Sequence, residues 1–283
     1  MRIRAISWNL FHGRDAPPSR ALFTTRSRLL RVTERNRAHL QVNRNLLREF
    51  SEVLCGAEWD LAMLQETRPR WAAPLASRCG AEAHRVLTSR NSLAPLRTAI
   101  AALNPDLIAS NEGGSNLTLV RGALTAGEGP AIVERRELEI HHGAPERRAM
   151  AFTRLATGLC VANLHATANQ PVLAIEDLRR AAAAADEWAG EAPLIFGGDL
   201  NLRPESRPEI FAELRERWGL APPTAPDAID HILSRGLRVL EPPAKWPPER
   251  REVTEDGLAI RLSDHSPVET LLEVAPFAPE ARG

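Results

Sequence analysis

Tyrosine is absent from the 283-residue chain, lysine occurs once, as Lys245, and cysteine only three times. Cys55, Cys79 and Cys160 have no CxxC spacing and cannot all pair with one another. A zinc–cysteine centre is therefore not expected, and the sulfurs read as small buried hydrophobes in a reducing compartment. No apolar run approaches the ~18–20 residues needed to cross a bilayer. The opening Met1-Arg2-Ile3-Arg4-Ala5-Ile6-Ser7-Trp8 lacks the apolar core of a signal peptide, so a cytoplasmic protein without a transmembrane segment is expected. Walker A, dinucleotide-glycine and G-x-S-x-G motifs are missing, which leaves P-loop, Rossmann-type and serine-hydrolase chemistry unsupported. Charge of either sign is not in excess, with 36 basic against 36 acidic residues, and this argues against tight, non-specific nucleic-acid binding by the whole surface.

What is present suits a globular chain, with 43% hydrophobic and 25% charged residues. The bias of the basic residues toward arginine accompanies abundant alanine and proline and reads as genomic base composition. The charge is uneven: residues 1–50 hold 11 arginines against Asp15, Glu34 and Glu49. The excess is densest between Arg14 and Arg48, a segment that could track a polyanion or simply form a solvated helix face.

Several short apolar runs end in a polar residue able to do chemistry: Ile3–Trp8 at Asn9, Leu61–Leu64 at Gln65-Glu66, Leu159–Ala162 at Asn163-Leu164-His165, and Leu194–Phe196 at Gly197-Gly198-Asp199. Runs of this length suit buried strands. Helices are expected over Arg37–Leu54, Pro69–Arg78, Leu93–Leu103, Val172–Trp188 and Pro208–Trp218. The middle reads as successive strands, Asn116–Val120, Ala131–Ile140, Met150–Leu155 and Gly158–Leu164, with a hairpin turn at Thr157-Gly158. This mixture predicts an α/β layered sandwich rather than a purely parallel sheet. Pro242–Pro248 is expected to be a loop. The chemistry-bearing residues spread from position 9 to 265, so one domain over 1–274 is expected, followed by a flexible tail, 275–283.

In Gly197-Gly198-Asp199-Leu200-Asn201, the glycines would let the backbone turn beside a ligand without a blocking side chain. Strand periodicity would put Asp199 and Asn201 on one side, a carboxylate to activate water beside an amide to hold a phosphoryl oxygen. Asp264 and His265 point to opposite faces of an extended chain and so take separate roles. Asp230, at the edge of an apolar strand, would hold the His265 imidazole, while His231 reads as structural. Glu66 could bind a hard cation such as Mg²⁺. Asn163 and His165 share a strand face, and Glu112 or Asn116 could line the cleft, Glu112 by orienting His165. The inventory, rich in carboxylates with His and Asn but no Cys, suits metal-assisted phosphoester hydrolysis.

Taken in order, Ser7-Trp8-Asn9, Gln65-Glu66, Asn163-Leu164-His165, Gly197–Asn201, Ile229-Asp230-His231 and Ser263-Asp264-His265-Ser266-Pro267 resemble the endonuclease/exonuclease/phosphatase superfamily, the deoxyribonuclease I-like fold. The resemblance spans nearly the whole chain. It implies a four-layer α/β sandwich, with two packed mixed β-sheets flanked by helices and the active site at one end. Carried over residue by residue, it implies Glu66, Asn9 and Asp264 at an Mg²⁺ or Mn²⁺ ion, and Asp199 on the attacking water. It further implies Asn201 and His265 on the phosphate, Asp230 behind His265, and His165 as a second catalytic histidine. Asn163 and Asn116 are expected to touch substrate. The absence of tyrosine departs from the abasic-site branch, and Pro223–Asp230 does not match the inositol-phosphatase signature.

The expected activity is divalent-metal-dependent phosphodiester hydrolysis, with nucleic acid as the phosphate-ester substrate and no protein partner indicated. The alternatives are a lipid or small-molecule phosphoesterase, for which Trp246 between prolines is the one candidate exposed apolar loop, and a non-catalytic binding module on the same fold. Trp71 and Trp218 are expected to pack.

Overall fold

Strand parity sorts this chain into layers. The structure is a computed structural model and describes residues 1–89, 93–108, 112–125, 129–142 and 146–274. Asn111 and the expected 275–283 tail lie outside the described residues. The strands are β1 Arg2–Asn9, β2 Glu34–Arg35, β3 Leu40–Gln41, β4 Leu61–Thr67, β5 Glu82–Leu87, β6 Ser115–Val120, β7 Ile132–His141, β8 Arg148–Leu155, β9 Cys160–His165, β10 Leu194–Asp199, β11 Asp230–Arg235, β12 Leu237–Lys245, β13 Glu252–Glu255, β14 Leu258–Arg261 and β15 Val268–Val274. The helices are α1 Thr25–Leu30, α2 Leu47–Gly56, α3 Ala72–Cys79, α4 Ala94–Leu103, α5 Pro105–Ile108, α6 Pro171–Ala189 and α7 Pro208–Trp218.

Two mixed sheets form the centre, one in the order β12-β15-β1-β4-β6-β5 and the other in the order β11-β10-β9-β8-β7. Alternate residues of each strand face the opposite sheet. Ile3, Ala5, Leu61, Met63, Val161, Ile195, Ile232, Val268 and Leu272 meet in the layer between the sheets. The complementary residues Ile6, Trp8, Ala62 and Leu64 point outward onto Phe50 and Leu54 of α2 and Leu75 of α3. On the other side Ala162, Leu164, Leu194 and Phe196 point onto the alanine-rich face of α6 and onto Ile210, Phe211 and Leu214 of α7. This gives the four-layer helix–sheet–sheet–helix sandwich. Leu178 of α6 is fully buried, and truncating such a leucine to alanine costs about 2–5 kcal/mol.

Several local expectations change. Residues 37–46 are not helical, because side chains claim the backbone groups a helix would need. Asn36 Oδ1 takes the N–H groups of Ala38 and His39, and Asp15 Oδ2 takes that of Val42. The helix starts only at Leu47. Of the prolines expected in a loop, Pro242 and Pro243 sit instead in β12, an edge strand whose pairing with β15 shifts register twice around them, while Pro247 and Pro248 lie beyond the strand. Such a place tolerates the missing N–H. Trp246 is buried and donates its Nε1–H to Glu269 at 2.5 Å, so it is no exposed apolar loop. Trp71 and Trp218 pack as expected. Cys55 and Cys79 form a disulfide between α2 and α3, contrary to the expected thiols, while Cys160 stays free and buried. The sequence separates this pair by 24 positions, and only the packing of the two helices brings them together. No helix among the described residues is long and apolar enough to cross a membrane.

Candidate active site

Along the inward faces the residues change from apolar to polar toward one end of the sandwich: Ile3-Ala5-Ser7-Asn9 on β1, Leu61-Met63-Gln65 on β4, Val161-Asn163-His165 on β9 and Ile195-Gly197-Asp199 on β10. A buried amide belt comes first. Gln65 Nε2 donates to Asn163 Oδ1 at 2.8 Å and to Ser7 Oγ at 3.3 Å, and Asn116 Nδ2 donates to the Ala149 carbonyl at 2.8 Å. Asn163 and Asn116, expected at the substrate, are thus fully buried between the sheets and tie the layers together beneath the site.

Beyond the belt, register places His165, Asp199 and Asp230 side by side across β9, β10 and β11. Asn9 faces them from the other sheet, and its Nδ2 donates to Asp199 Oδ2 at 2.9 Å. The glycines before Asp199 serve the sheet rather than a ligand. A Cβ on Gly198, at φ +129°, would lie 1.9 Å from the Leu164 carbonyl oxygen, and one on Gly197 would lie 2.1 Å from that of His231. Asn201 does not continue the strand. It takes a left-handed φ of 55° and donates its N–H to Asp199 Oδ1 at 3.2 Å and its amide to the Ala166 carbonyl at 3.0 Å. It therefore stays beside Asp199 through a turn rather than through period two.

The loop before β15 brings in the last motif. Ser263 Oγ donates to the Asn9 carbonyl at 2.6 Å and accepts the His265 N–H at 3.0 Å, while Trp8 Nε1 donates to the His265 carbonyl at 3.0 Å. His265 Nδ1 lies 2.8 Å from Asp230 Oδ2, and its Nε2 lies 3.9 Å from Asp199 Oδ2. Burial opposes charge on His265, but Asp230 and Asp199 hold its imidazole well above the usual range. Burial also drives Asp199 upward, against the pull of His265. His165 lies 3.5 Å from Asp199 Oδ2, and burial, with Arg148 nearby, keeps it neutral.

Glu66 breaks strand parity. Period two would turn it outward with Leu64, but a left-handed φ of 46° and a register shift between Leu64 and Thr67 swing it into the site. Its Oε2 lies 3.1 Å from His12 Nε2, and its Oε1 lies 4.0 Å from His165 Nε2. Burial raises this carboxyl, yet the imidazole charge facing it, His12 foremost, and the Asn9 amide bring it down to about 2. Phe11, His12, Asn201 and Ser263 share its left-handed backbone, so strained conformations gather at this end of the sandwich.

His12 is a residue that strand-end reasoning passes over, since it lies in the turn after β1. The signal for it is a histidine beside glycine three positions beyond Asn9. Arg68, fully buried, donates Nε–H to the His12 carbonyl at 2.5 Å and fixes that turn. Glu112 does not orient His165; it lies against Arg70 Nε at 2.7 Å and Arg68 Nε at 3.5 Å. With Phe11, Arg14 and Arg148, the residues His12, Glu66 and His165 line a pocket of about 230 Å³. Arg148 is buried, with its Nε lacking a hydrogen bond.

The donor set around Glu66 fits a hard divalent cation. Glu66, Asn9 and Asp264 offer oxygen, His12 and His165 offer nitrogen, no sulfur is present, and Asp264, itself raised by burial, is raised further by the charge of Glu66. Asn9 Oδ1 accepts the Phe11 N–H at 2.9 Å, which leaves one lone pair. Ligand atoms of Asp199, Asp230 and His265 also lie within 4.8 Å of one another, although Asp230 and His265 already satisfy each other there.

The Endonuclease/Exonuclease/phosphatase family model matches residues 6–265, the span that runs from β1 to this histidine. The chain belongs to that family. It is a phosphoesterase by family and carries the four-layer fold expected from the resemblance. An endonuclease/exonuclease/phosphatase family protein from Bacteroides thetaiotaomicron is similar at 14% identity, with 97% of this chain and 98% of that one covered and a TM-score of 0.61. The mannosyl-6-phosphatase of the same organism is 14% identical, with 95% and 99% covered and a TM-score of 0.60. Truncated TDP2 of Caenorhabditis elegans is 13% identical, with 96% and 98% covered and a TM-score of 0.56. At these identities the likeness speaks to the fold. Curated proteins yield no significant sequence match.

Proposed function

We propose that this phosphoesterase hydrolyses phosphodiesters of nucleic acid with the help of Mg²⁺ or Mn²⁺. The observation that carries the mechanism is Asp199, a buried carboxylate held by the Asn9 amide and flanked by His165 and His265. A carboxylate raised toward neutrality by burial is a better general base than a solvated one, and Asp199 takes the proton of the attacking water. His265, kept cationic by Asp230, pairs with a phosphoryl oxygen and gains strength as charge builds there. Asn201 spends one amide proton on Ala166 and offers the other to the phosphate. His165, neutral, donates a hydrogen bond into the same space. A divalent cation held by Glu66, with Asp264 and Asn9 beside it, would neutralise phosphoryl charge.

The preference for nucleic acid rests on the surroundings. Arg14 and Arg148 line the pocket, and Arg20, Arg26, Arg28, Arg31, Arg35 and Arg37 are exposed on the segment that follows Arg14. Contacts of this kind to a polyanion weaken steeply with salt. A second reading, phosphomonoester hydrolysis, draws on the mannosyl-6-phosphatase among the similar structures.

The test is hydrolysis of a panel with Mg²⁺ or Mn²⁺: single- and double-stranded DNA, RNA, an abasic duplex, sugar phosphates, a phosphoinositide and sphingomyelin. Cleavage of nucleic acid that falls with salt and is lost in Asp199→Ala supports the proposal. Turnover of lipids or monoesters alone would keep the chemistry and overturn the substrate.

A further inference from the structure

Behind the wall formed by Phe11 and Arg14 lies a second pocket of about 230 Å³, lined by Phe11, Arg14, Asp15, Phe23, Arg28 and Asp106. The turn after β1 delivers Phe11 to Asp15, the arginine-rich segment supplies Phe23 and Arg28, and α5 supplies Asp106. Phe11 and Arg14 are common to this pocket and the catalytic one. A ligand with a phosphoryl group beside Glu66 can therefore place the adjoining part of its structure here.

The lining has two kinds of surface. One is flat: the Arg14 guanidinium stacks 3.7 Å from the Phe11 ring centroid, and the Phe23 ring is 39% exposed, the only markedly open apolar group of the six. The other is a pair of sunken carboxyl groups. Asp15 is 1% exposed; its Oδ2 accepts the Val42 N–H at 3.0 Å, while its Oδ1 has no well-formed hydrogen bond. Asp106 accepts Gln41 Nε2–H at 2.5 Å. Gln41 also approaches the Asp15 carboxyl, and a ligand N–H reaching this edge would add a well-formed donor to a buried acceptor. Burial holds the Asp15 carboxyl well above the usual range and raises Asp106 as well, so this edge can donate as well as accept.

Aromatic faces for stacking beside hydrogen-bonding groups for an edge are what proteins use to hold an unstacked base. The volume is below the ~300–1,000 Å³ of pockets for drug-sized ligands and suits one ring system. We propose that the second pocket receives the nucleobase next to the scissile phosphate, with Phe23 stacking on the ring and Asp15 and Asp106 reading its N–H-bearing edge. The arginine-rich segment then has a constructive role, since it supplies Phe23 and Arg28 to this pocket. The inference rests on the phosphodiesterase reading of the adjoining site.

Two measurements test it separately from that reading. Calorimetric titration with adenosine, guanosine, cytidine and thymidine, which carry no phosphate, is expected to show binding of at least one. Phe23→Ala and Asp106→Asn should each weaken it tenfold or more, and Val172→Ala, at an exposed position of α6 outside the pocket lining, should not. In parallel, Phe23→Ala should lower kcat/KM for a nucleoside 5′-(p-nitrophenyl phosphate) at least tenfold relative to bis(p-nitrophenyl) phosphate. No nucleoside binding, or equal binding by both pocket variants, overturns the proposal. Failure of the wild type to hydrolyse bis(p-nitrophenyl) phosphate would count against the phosphodiesterase reading, while the titration still decides the pocket.

Discussion

Asn9 and Asp199 are 190 positions apart in the chain and 2.9 Å apart in the structure, joined by an amide hydrogen bond that crosses from one sheet to the other. Closing the sandwich and orienting the proposed base are therefore one event. Asn9→Asp replaces this donor with a second buried acceptor. Turnover should fall at least 10²-fold, and whatever remains should need higher pH, because like charge raises Asp199 further. A pH–rate profile matching the wild type would contradict the role given to this bond.

Much of this geometry is legible in the sequence because strand parity is strict. Ser7 and Asn9, Gln65, Asn163 and His165, and Asp199 all fall on the inward faces that period two assigns them, and Asp230 meets His265 as the motif order implies. Glu66 is different: a backbone kink reverses its parity, and no side-chain pattern announces a register shift. His12 lies beyond the strand, and its place depends on Arg68, 56 residues later. Asn163 and Asn116 carry the right residue type and the right parity, but they sit one step deeper than the site, where depth is set by how far the sheets overlap. The disulfide likewise depends on tertiary contacts, and the non-helical 37–46 segment on the Asp15 contact together with the local turn at Asn36.

Gly198 is required by contact as well as by φ. Gly198→Ala forces a methyl group against the Leu164 carbonyl in a backbone conformation that L-residues avoid. A loss of about 2–4 kcal/mol is expected, as for overpacking joined to backbone strain, and the urea midpoint measures it. An unchanged midpoint would mean that the strands separate easily.

His84 and His231 are buried neutral imidazoles, each pushed down to about 4 by burial, with Arg135 adding to the shift of His84. His231 Nδ1 accepts the Thr224 N–H at 3.1 Å, and its Nε2 faces the Leu202 and Ala228 carbonyls, the structural role expected for it. Unfolded, both titrate near 6.5, so between pH 6.5 and about 4 the unfolded chain binds more protons and stability falls as pH drops. Each should remove about 2 kcal/mol between pH 7 and pH 5. Denaturation at the two pH values, repeated with His84→Gln, should show one share disappear; an identical pH dependence would refute the assignment.

The Cys55–Cys79 bond closes a loop across 24 positions between α2 and α3, with its Cα atoms 4.9 Å apart. Chain-entropy arguments give such a loop about 3 kcal/mol of stabilisation. Cys79→Ser, or reduction by dithiothreitol, should lower the denaturation midpoint accordingly and leave the Asp199 end of the sheets intact. With the bond, a thiol reagent in denaturant counts one free thiol, Cys160, in the untreated protein; a count of three would contradict the bond.

The most direct measurement is the steady-state turnover of bis(p-nitrophenyl) phosphate with saturating Mn²⁺ by the wild type and by Asp199→Ala, with thermal melts confirming that both are folded. General-base catalysis of this kind is worth ~10²–10⁴-fold. A loss of that size at an unchanged melting profile is the result expected if Asp199 activates the water. Turnover by folded Asp199→Ala within threefold of the wild type would contradict it.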